Sequence, residues 1–112
     1  MLVESDLLII VEGKNDRRRL RQLVPDEVPI ALTYGIPNPE RLHQLAKLAR
    51  HRQVVILTDA DPSGRRIRGI LGDAFPDAVH LHTKTGYDGV EHTPLEYLEN
   101  RLRSAGILLG EP

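Results

Sequence analysis

The chain has 112 residues, 40% hydrophobic and 28% charged, with no cysteine and a net charge of −1. That balance fits one soluble globular domain, residues 1–112, and excludes a disordered chain, a disulfide scaffold, a thiolate zinc site and a uniformly basic nucleic-acid binder. No apolar run approaches ~18 residues, and MLVESDLLII lacks a basic n-region and a small-residue cleavage site, so neither a membrane span nor a secretory signal is expected; the lack of cysteine fits the cytoplasm.

Leu7 to Val11 is a continuous apolar run ending in Glu12-Gly13, the pattern of a buried strand. Asn15 to Val24 follows as a helix with Leu20, Leu23 and Val24 inward, stopped by Pro25. Pro29 to Thr33 is a short second strand, and Tyr34-Gly35 a turn. Asn38-Pro39 is an N-cap with proline at the first helical position, opening a helix to about Arg52. Gln53 to Thr58 is a third strand. A helix starting at Ser63 or Gly64 carries Ile67, Ile70, Leu71, Ala74 and Phe75 on one face. Ala78 to His82 is a fourth strand, and Thr83 to His92 a polar loop. Thr93-Pro94-Leu95-Glu96 reads as a capping box opening a last helix that buries Leu95, Leu98 and Leu102. Ile107, Leu108 and Leu109 would dock or form a short edge element.

Near-continuous apolar strands alternating with helices predict an α/β fold, a Rossmann-like parallel sheet of about four strands covered on both faces with right-handed crossovers. Ligands of such sheets sit beyond the carboxyl ends of the strands. Glu12, Gly35 and Asp59 with Asp61 follow three different strands at those ends, so residues far apart in sequence converge there.

Asp59 and Asp61, if they continue the strand, point to the same side. Two carboxylates ~6 Å apart repel by roughly 3 kcal/mol at an effective dielectric near 20, and Glu12 adds to this. Such a cluster takes up protons, pairs with cations or holds a metal. Oxygen donors without cysteine point to a hard ion, Mg²⁺ or Mn²⁺. The competing reading is a solvated turn in which Asp61 caps the helix that follows. Lys14, Arg17, Arg18, Arg19, Arg21, Arg65, Arg66 and Arg68 fall in two short windows just behind these acids. They either hold a phosphodiester, for which arginine's planar fork is suited, or balance the nearby carboxylates. Aromatics are few (Tyr34, Phe75, Tyr87 and Tyr97), so a base-stacking platform is not expected.

IIVEGKND followed by VVILTDADPSGRRIR resembles the Toprim domain of topoisomerases, primases, OLD-family nucleases, RecR-type repair proteins and the ribonuclease that matures 5S ribosomal RNA. The resemblance spans roughly residues 6 to 82 and is nearest to small stand-alone Toprim proteins and to that ribonuclease, which also shares a later Gly89-Val90-Glu91-His92. It implies a Mg²⁺-dependent enzyme acting on nucleic-acid phosphodiesters, RNA or DNA. Glu12 would be the general acid or base, with Glu12, Asp59 and Asp61 as the metal set. Lys14, Arg65 and Arg68 would contact substrate, with Gly13 allowing a tight turn, Gly64 a close approach and Asp16 giving support. The additional domains of the larger family members are lacking, which leaves room for a protein partner and for a non-catalytic binding module as the alternative. A nucleotide-binding or phosphatase domain is disfavoured, since neither G-x-G-x-x-G nor a P-loop is present.

Three further candidates remain. Tyr87 is conceivable as a nucleophile but reads better as a surface or clamp residue. His80 and His82 alternate on a strand without a third zinc ligand. Glu91 and His92, with Asp88, either close over the site or belong to helix capping around Thr93.

Overall fold

The computed structural model describes residues 6–82 and 93–106. In chain order the elements are β1 (Leu7–Val11), α1 (Lys14–Arg21), β2 (Ile30–Leu32), α2 (Pro39–Leu48), β3 (Gln53–Thr58), α3 (Pro62–Ala74), β4 (Val79–His82) and α4 (Leu95–Ser104). The strands form one sheet in the order β2-β1-β3-β4. Every neighbouring pair is parallel, with Ile9 opposite Ile30, Ile10 opposite Ile56 and Thr58 opposite His82.

Two cores form, one on each face, and strand periodicity divides them. Leu7, Ile9 and Val11 of β1 join Val55 and Leu57 of β3 in a cluster with Leu20 of α1 and Leu98 and Leu102 of α4. Leu8 and Ile10 join Val54 and Ile56 in a second cluster with Leu45 of α2 and Ile67 and Leu71 of α3. All five residues of β1 are buried, which is why that run shows no polar alternation.

Two strand boundaries coincide with expectation, and several helix ends move. α1 closes at Arg21, because Pro25 disfavours helical backbone at Val24; the N–H groups of Leu23 and Val24 fold back onto the Leu20 carbonyl instead. α2 stops at Leu48, and His51 turns the chain with φ 62°. α3 starts earlier than expected, at Pro62, with Asp61 as its N-cap. The expected capping box of the last helix is overturned. Pro94 itself is the N-cap, in extended backbone (φ −56°, ψ 139°), with no side-chain cap. Thr93 is buried, and its carbonyl accepts from Arg19 Nη2 of α1 at 3.1 Å. Leu95 is only half-buried. The loop 83–92 with Tyr87, Glu91 and His92, and the segment 107–109, lie outside the described residues. No helix of the described residues is long and apolar enough to cross a membrane.

Candidate metal and phosphodiester site

The strand order places the site. From β1 the chain moves outward to β2, and from β3 it moves outward to β4 on the other side. β1 and β3 are therefore the central pair at which the direction of winding reverses, the position where sheets of this kind bind ligands. Glu12 follows β1 and Asp59 follows β3, and α1 and α3 leave from these ends onto opposite faces. The N-terminal, positive dipole ends of both helices thus lie toward the same edge.

Each acid has a distinct setting. Glu12 and Asp59 are half-buried, and Asp61 is exposed. Burial, and after it the charges of Asp59, Asp16 and Asp61, hold the Glu12 carboxyl above its ordinary value. Asp61 accepts the Gly64 N–H through Oδ1 at 2.6 Å, so one of its two oxygens is committed to capping α3. Asp16, nearly buried at the third position of α1, reaches back to accept the Gly13 N–H at 3.0 Å. It therefore belongs to the helix start as well as to the acidic field on Glu12.

The two glycines differ. A Cβ on Gly64 would stand 2.0 Å from the Asp59 carbonyl oxygen, so the first turn of α3 rests directly on the Asp59 backbone. Gly13 has φ −141° and ψ 177°, extended backbone that any residue adopts, and a Cβ there would meet only Asp16 Oδ2 at 3.9 Å. The backbone at Gly13 does not itself call for glycine, contrary to the tight turn expected.

The basic residues also separate. Lys14 and Arg65 are exposed at the first turns of α1 and α3. Arg68 is folded inward. Its Nη2 donates to the carbonyls of Leu81 and Thr58, and its Nη1 lies 3.2 Å from His80 Nδ1. Arg68 thus straps α3 to the ends of β3 and β4. Arg19 and Arg21 likewise donate to the backbone of Thr93 and Pro25. Of the arginines expected at a phosphate, the helix positions that remain open to solvent are chiefly Arg18, Arg65 and Arg66.

His80 and His82 are exposed on the α3 side of β4, because Leu81 between them points into the opposite core. With Asp59, Arg65, Arg68 and Gly69 they line a cleft of about 690 Å³ that begins at the acids. Two threonines that the sequence reading did not single out close β2 and β3. Thr33 and Thr58 are each 1% exposed, and their hydroxyls have no hydrogen-bond partner among the described residues. The available signal was a hydroxyl residue ending an otherwise apolar strand beside an acid or a turn.

The donor set suits a hard cation. It is oxygen-only, and the neighbouring charges that raise the Glu12 carboxyl are those of Asp59, Asp16 and Asp61. Among the described residues no three or more His, Asp or Glu side chains close tightly around one point. The described carboxylates therefore do not by themselves form a closed cage of protein ligands.

The Toprim domain model matches residues 7–87. The chain belongs to the Toprim domain family. The uncharacterized protein YusF of Bacillus subtilis is 33% identical over 104 residues, covering 93% of this chain and 71% of that protein. Ribonuclease M5 1 of Ligilactobacillus salivarius is 32% identical over 103 residues, covering 85% of this chain and 55% of that enzyme. The chain thus spans about half the length of that ribonuclease. A small TOPRIM domain protein from Bacillus stearothermophilus has the same fold, with a TM-score of 0.84 at 30% identity, over 94% of this chain and 89% of that one. The four-stranded parallel Toprim sheet is therefore shared with a solved structure.

Proposed function

We propose that this Toprim unit is a Mg²⁺-dependent nuclease acting on nucleic-acid phosphodiesters, with structured RNA as its first candidate substrate and the cytoplasm as its compartment. The observation that carries the proposal is the placement of Glu12 and Asp59 at adjacent carboxyl ends of the central strand pair, between two helix N-termini. The likeness to ribonuclease M5 1 supports RNA over DNA. Asp59 and the free oxygen of Asp61 would hold the cation, with Glu12 at its edge; Mn²⁺ would substitute. When bound, the ion supplies Lewis-acid stabilisation of charge on the phosphate oxygens.

The rest of the reaction falls to the chain's own groups. Glu12 moves the proton, as base toward the attacking oxygen or acid toward the leaving one. Its carboxyl, raised from its ordinary value by burial and acidic neighbours, is shifted in the direction that task needs. Lys14 and Arg65 at the helix starts bind flanking phosphates, aided by the positive ends of the two helix dipoles. Arg68 keeps the ends of β3 and β4 in register and thereby holds Asp59 in place. Asp16, by accepting the Gly13 N–H, and Gly64, by its close approach to Asp59, fix the starts of α1 and α3.

The test is a cleavage assay on structured RNA and on DNA with and without Mg²⁺, comparing wild type with Glu12→Gln and Asp59→Asn. Loss of cleavage in both variants is expected. Metal-independent cleavage, or equal rates in all three proteins, would sink the proposal. A binding module that needs a protein partner for chemistry is favoured by one observation, the open arrangement of the acids. Gel-shift binding with no turnover at any Mg²⁺ concentration would select it.

A further inference from the structure

Beside Glu12, on the other side from Asp59, the turn after β2 and the first half of α2 enclose a second cleft of about 300 Å³. It is lined by Thr33, Tyr34, Ile36, Asn38, Arg41 and Gln44, among others. None of these residues takes part in the acidic site.

Four features mark this cleft. Tyr34 is 63% exposed and sits in left-handed backbone at φ 57°, a conformation that an aromatic residue rarely adopts. Its N–H donates to the Glu12 carbonyl at 3.0 Å, so the turn that displays the ring is tied to the residue at the heart of the acidic site. The Arg41 guanidinium lies 4.9 Å from the Tyr34 ring centre, fixed by Nε donating to the Leu32 carbonyl at 2.7 Å and Nη1 to Gln44 Oε1 at 3.0 Å. Thr33, a residue 1% exposed, lines the same cleft, and its buried hydroxyl has no partner among the described residues. A buried hydroxyl without a partner is unfavourable, and a ligand atom that reached it would relieve that.

We propose that this cleft is a nucleobase pocket, in which one unpaired base beside the scissile phosphate stacks on the Tyr34–Arg41 shelf and meets Thr33 Oγ1 with its polar edge. The inference rests on the nucleic-acid reading of the acidic site and adds a base-recognition element to it. The chemistry favours a base over a phosphate. Arg41 is already engaged through Nε and Nη1, and Glu40 adds a negative charge to the lining. Asn38 and Gln44 each use their carbonyl oxygen toward Arg41, which leaves their NH₂ groups to donate to a base's carbonyl or ring nitrogen. The volume is at the low end for ligand sites (~300–1,000 Å³), which suits one planar ring system rather than a length of strand. A rigid ring against a guanidinium is a platform on which unpaired bases stack. The chain's few aromatics gave no expectation of such a platform; one well-placed tyrosine supplies it.

The test uses short single-stranded RNA and DNA probes carrying one 2-aminopurine, with abasic counterparts, titrated in EDTA against wild type and three variants. Tyr34→Gly removes the ring and relieves the left-handed backbone, so it folds. Tyr34→Phe keeps the ring. Thr33→Val removes only the hydroxyl. Wild type and Tyr34→Phe are expected to quench the probe. Tyr34→Gly is expected to leave it bright and bind about tenfold more weakly, no better than wild type binds the abasic strand. Thr33→Val is expected to quench normally and bind severalfold more weakly. Equal binding and quenching by Tyr34→Gly and wild type, or no quenching by wild type, overturns the pocket. So does a Tyr34→Gly variant that changes oligomeric mass but not probe affinity, since that marks a protein–protein surface. Mg²⁺-dependent cleavage of a probe that is never quenched sinks the pocket and leaves the nuclease standing; quenching without cleavage does the reverse.

Discussion

The α3 backbone at Gly64 and the carbonyl of Asp59 occupy space that no side chain can share, since a Cβ would stand 2.0 Å from the Asp59 oxygen and 3.0 Å from its nitrogen. The obstacle is backbone, which cannot swing aside as a side-chain tip would. Gly64→Ala must push the first turn of α3 away from β3, at a cost of about 3 kcal/mol, and move Asp59 with it. Gly69, further along the same helix, is the control. A Cβ there meets nothing within 4 Å, so Gly69→Ala is expected to add about 1 kcal/mol of helix stability. Urea midpoints for both variants check the pair. A Gly64→Ala protein as stable as wild type would refute the packing argument.

Asp61 carries two duties that substitution can separate. Its Oδ1 caps α3 through the Gly64 N–H at 2.6 Å, and its charge belongs to the proposed cation site. Asn is as good a cap as Asp, so Asp61→Asn should leave stability nearly unchanged while weakening Mg²⁺ binding. Asp61→Ala loses both and should cost about 1 kcal/mol. Thermal melts with and without Mg²⁺ check this. If Asp61→Asn keeps the full Mg²⁺-induced rise in Tm, Asp61 is a cap and nothing more.

Glu12 should be a burden on the metal-free fold. Its carboxyl is held above the ordinary value of 4.5 by burial and by Asp59, Asp16 and Asp61, so the folded state binds its proton more tightly than the unfolded chain does. The stability this gives is present in full below about pH 4.5 and is lost as pH rises through the raised folded value. Glu12→Gln removes the charge with little change of shape. In EDTA at pH 7 it should therefore melt above wild type, and the gap should close near pH 4. A variant less stable than wild type at pH 7 would show that Glu12 is compensated in a way its neighbours do not reveal.

Much of the scaffold was legible because the central strands β1 and β3 are buried on both faces. Leu7–Val11 and Gln53–Thr58 are apolar runs bounded by Glu12-Gly13 and by Asp59, and the observed strands have those limits. The pairing of Glu12 with Asp59 could be read from strand ends, because a parallel sheet gathers those ends at one edge. The fates of the arginines could not. Arg65 and Arg68 share a helical face by spacing, yet Arg68 turns onto the carbonyls of Thr58 and Leu81 while Arg65 stays in solvent. Only the tertiary position of β4 decides this. The capping box at Thr93 failed for a similar reason, its carbonyl being drawn to Arg19 on a helix distant in sequence. Tyr34 gave no local signal beyond a turn, because its value as a shelf depends on Arg41 lying against the ring.

The contact between Arg68 and His80 makes the β4 edge sensitive to acid. Arg68 Nη1 can only donate, so at 3.2 Å His80 Nδ1 must be the unprotonated acceptor. Both rings are exposed overall, but partial desolvation first and the Arg68 charge second lower the His80 pKa, and His82 is lowered by partial desolvation, Arg68, His80 and Arg101. The neutral forms are thus favoured in the fold. Above the ordinary histidine value of 6.5 the folded and unfolded chains are both neutral here, and stability is complete. As pH falls below it the unfolded chain takes up protons first, so stability declines until the lowered folded values are passed, and then levels off. His80→Asn keeps an acceptor oxygen near the place of Nδ1 and cannot take up a proton. Its urea midpoint should match that of wild type at pH 8 and exceed it at pH 5, whereas Arg68→Ala should be destabilised at both. Parallel declines for His80→Asn and wild type would remove His80 as the source of the acid sensitivity.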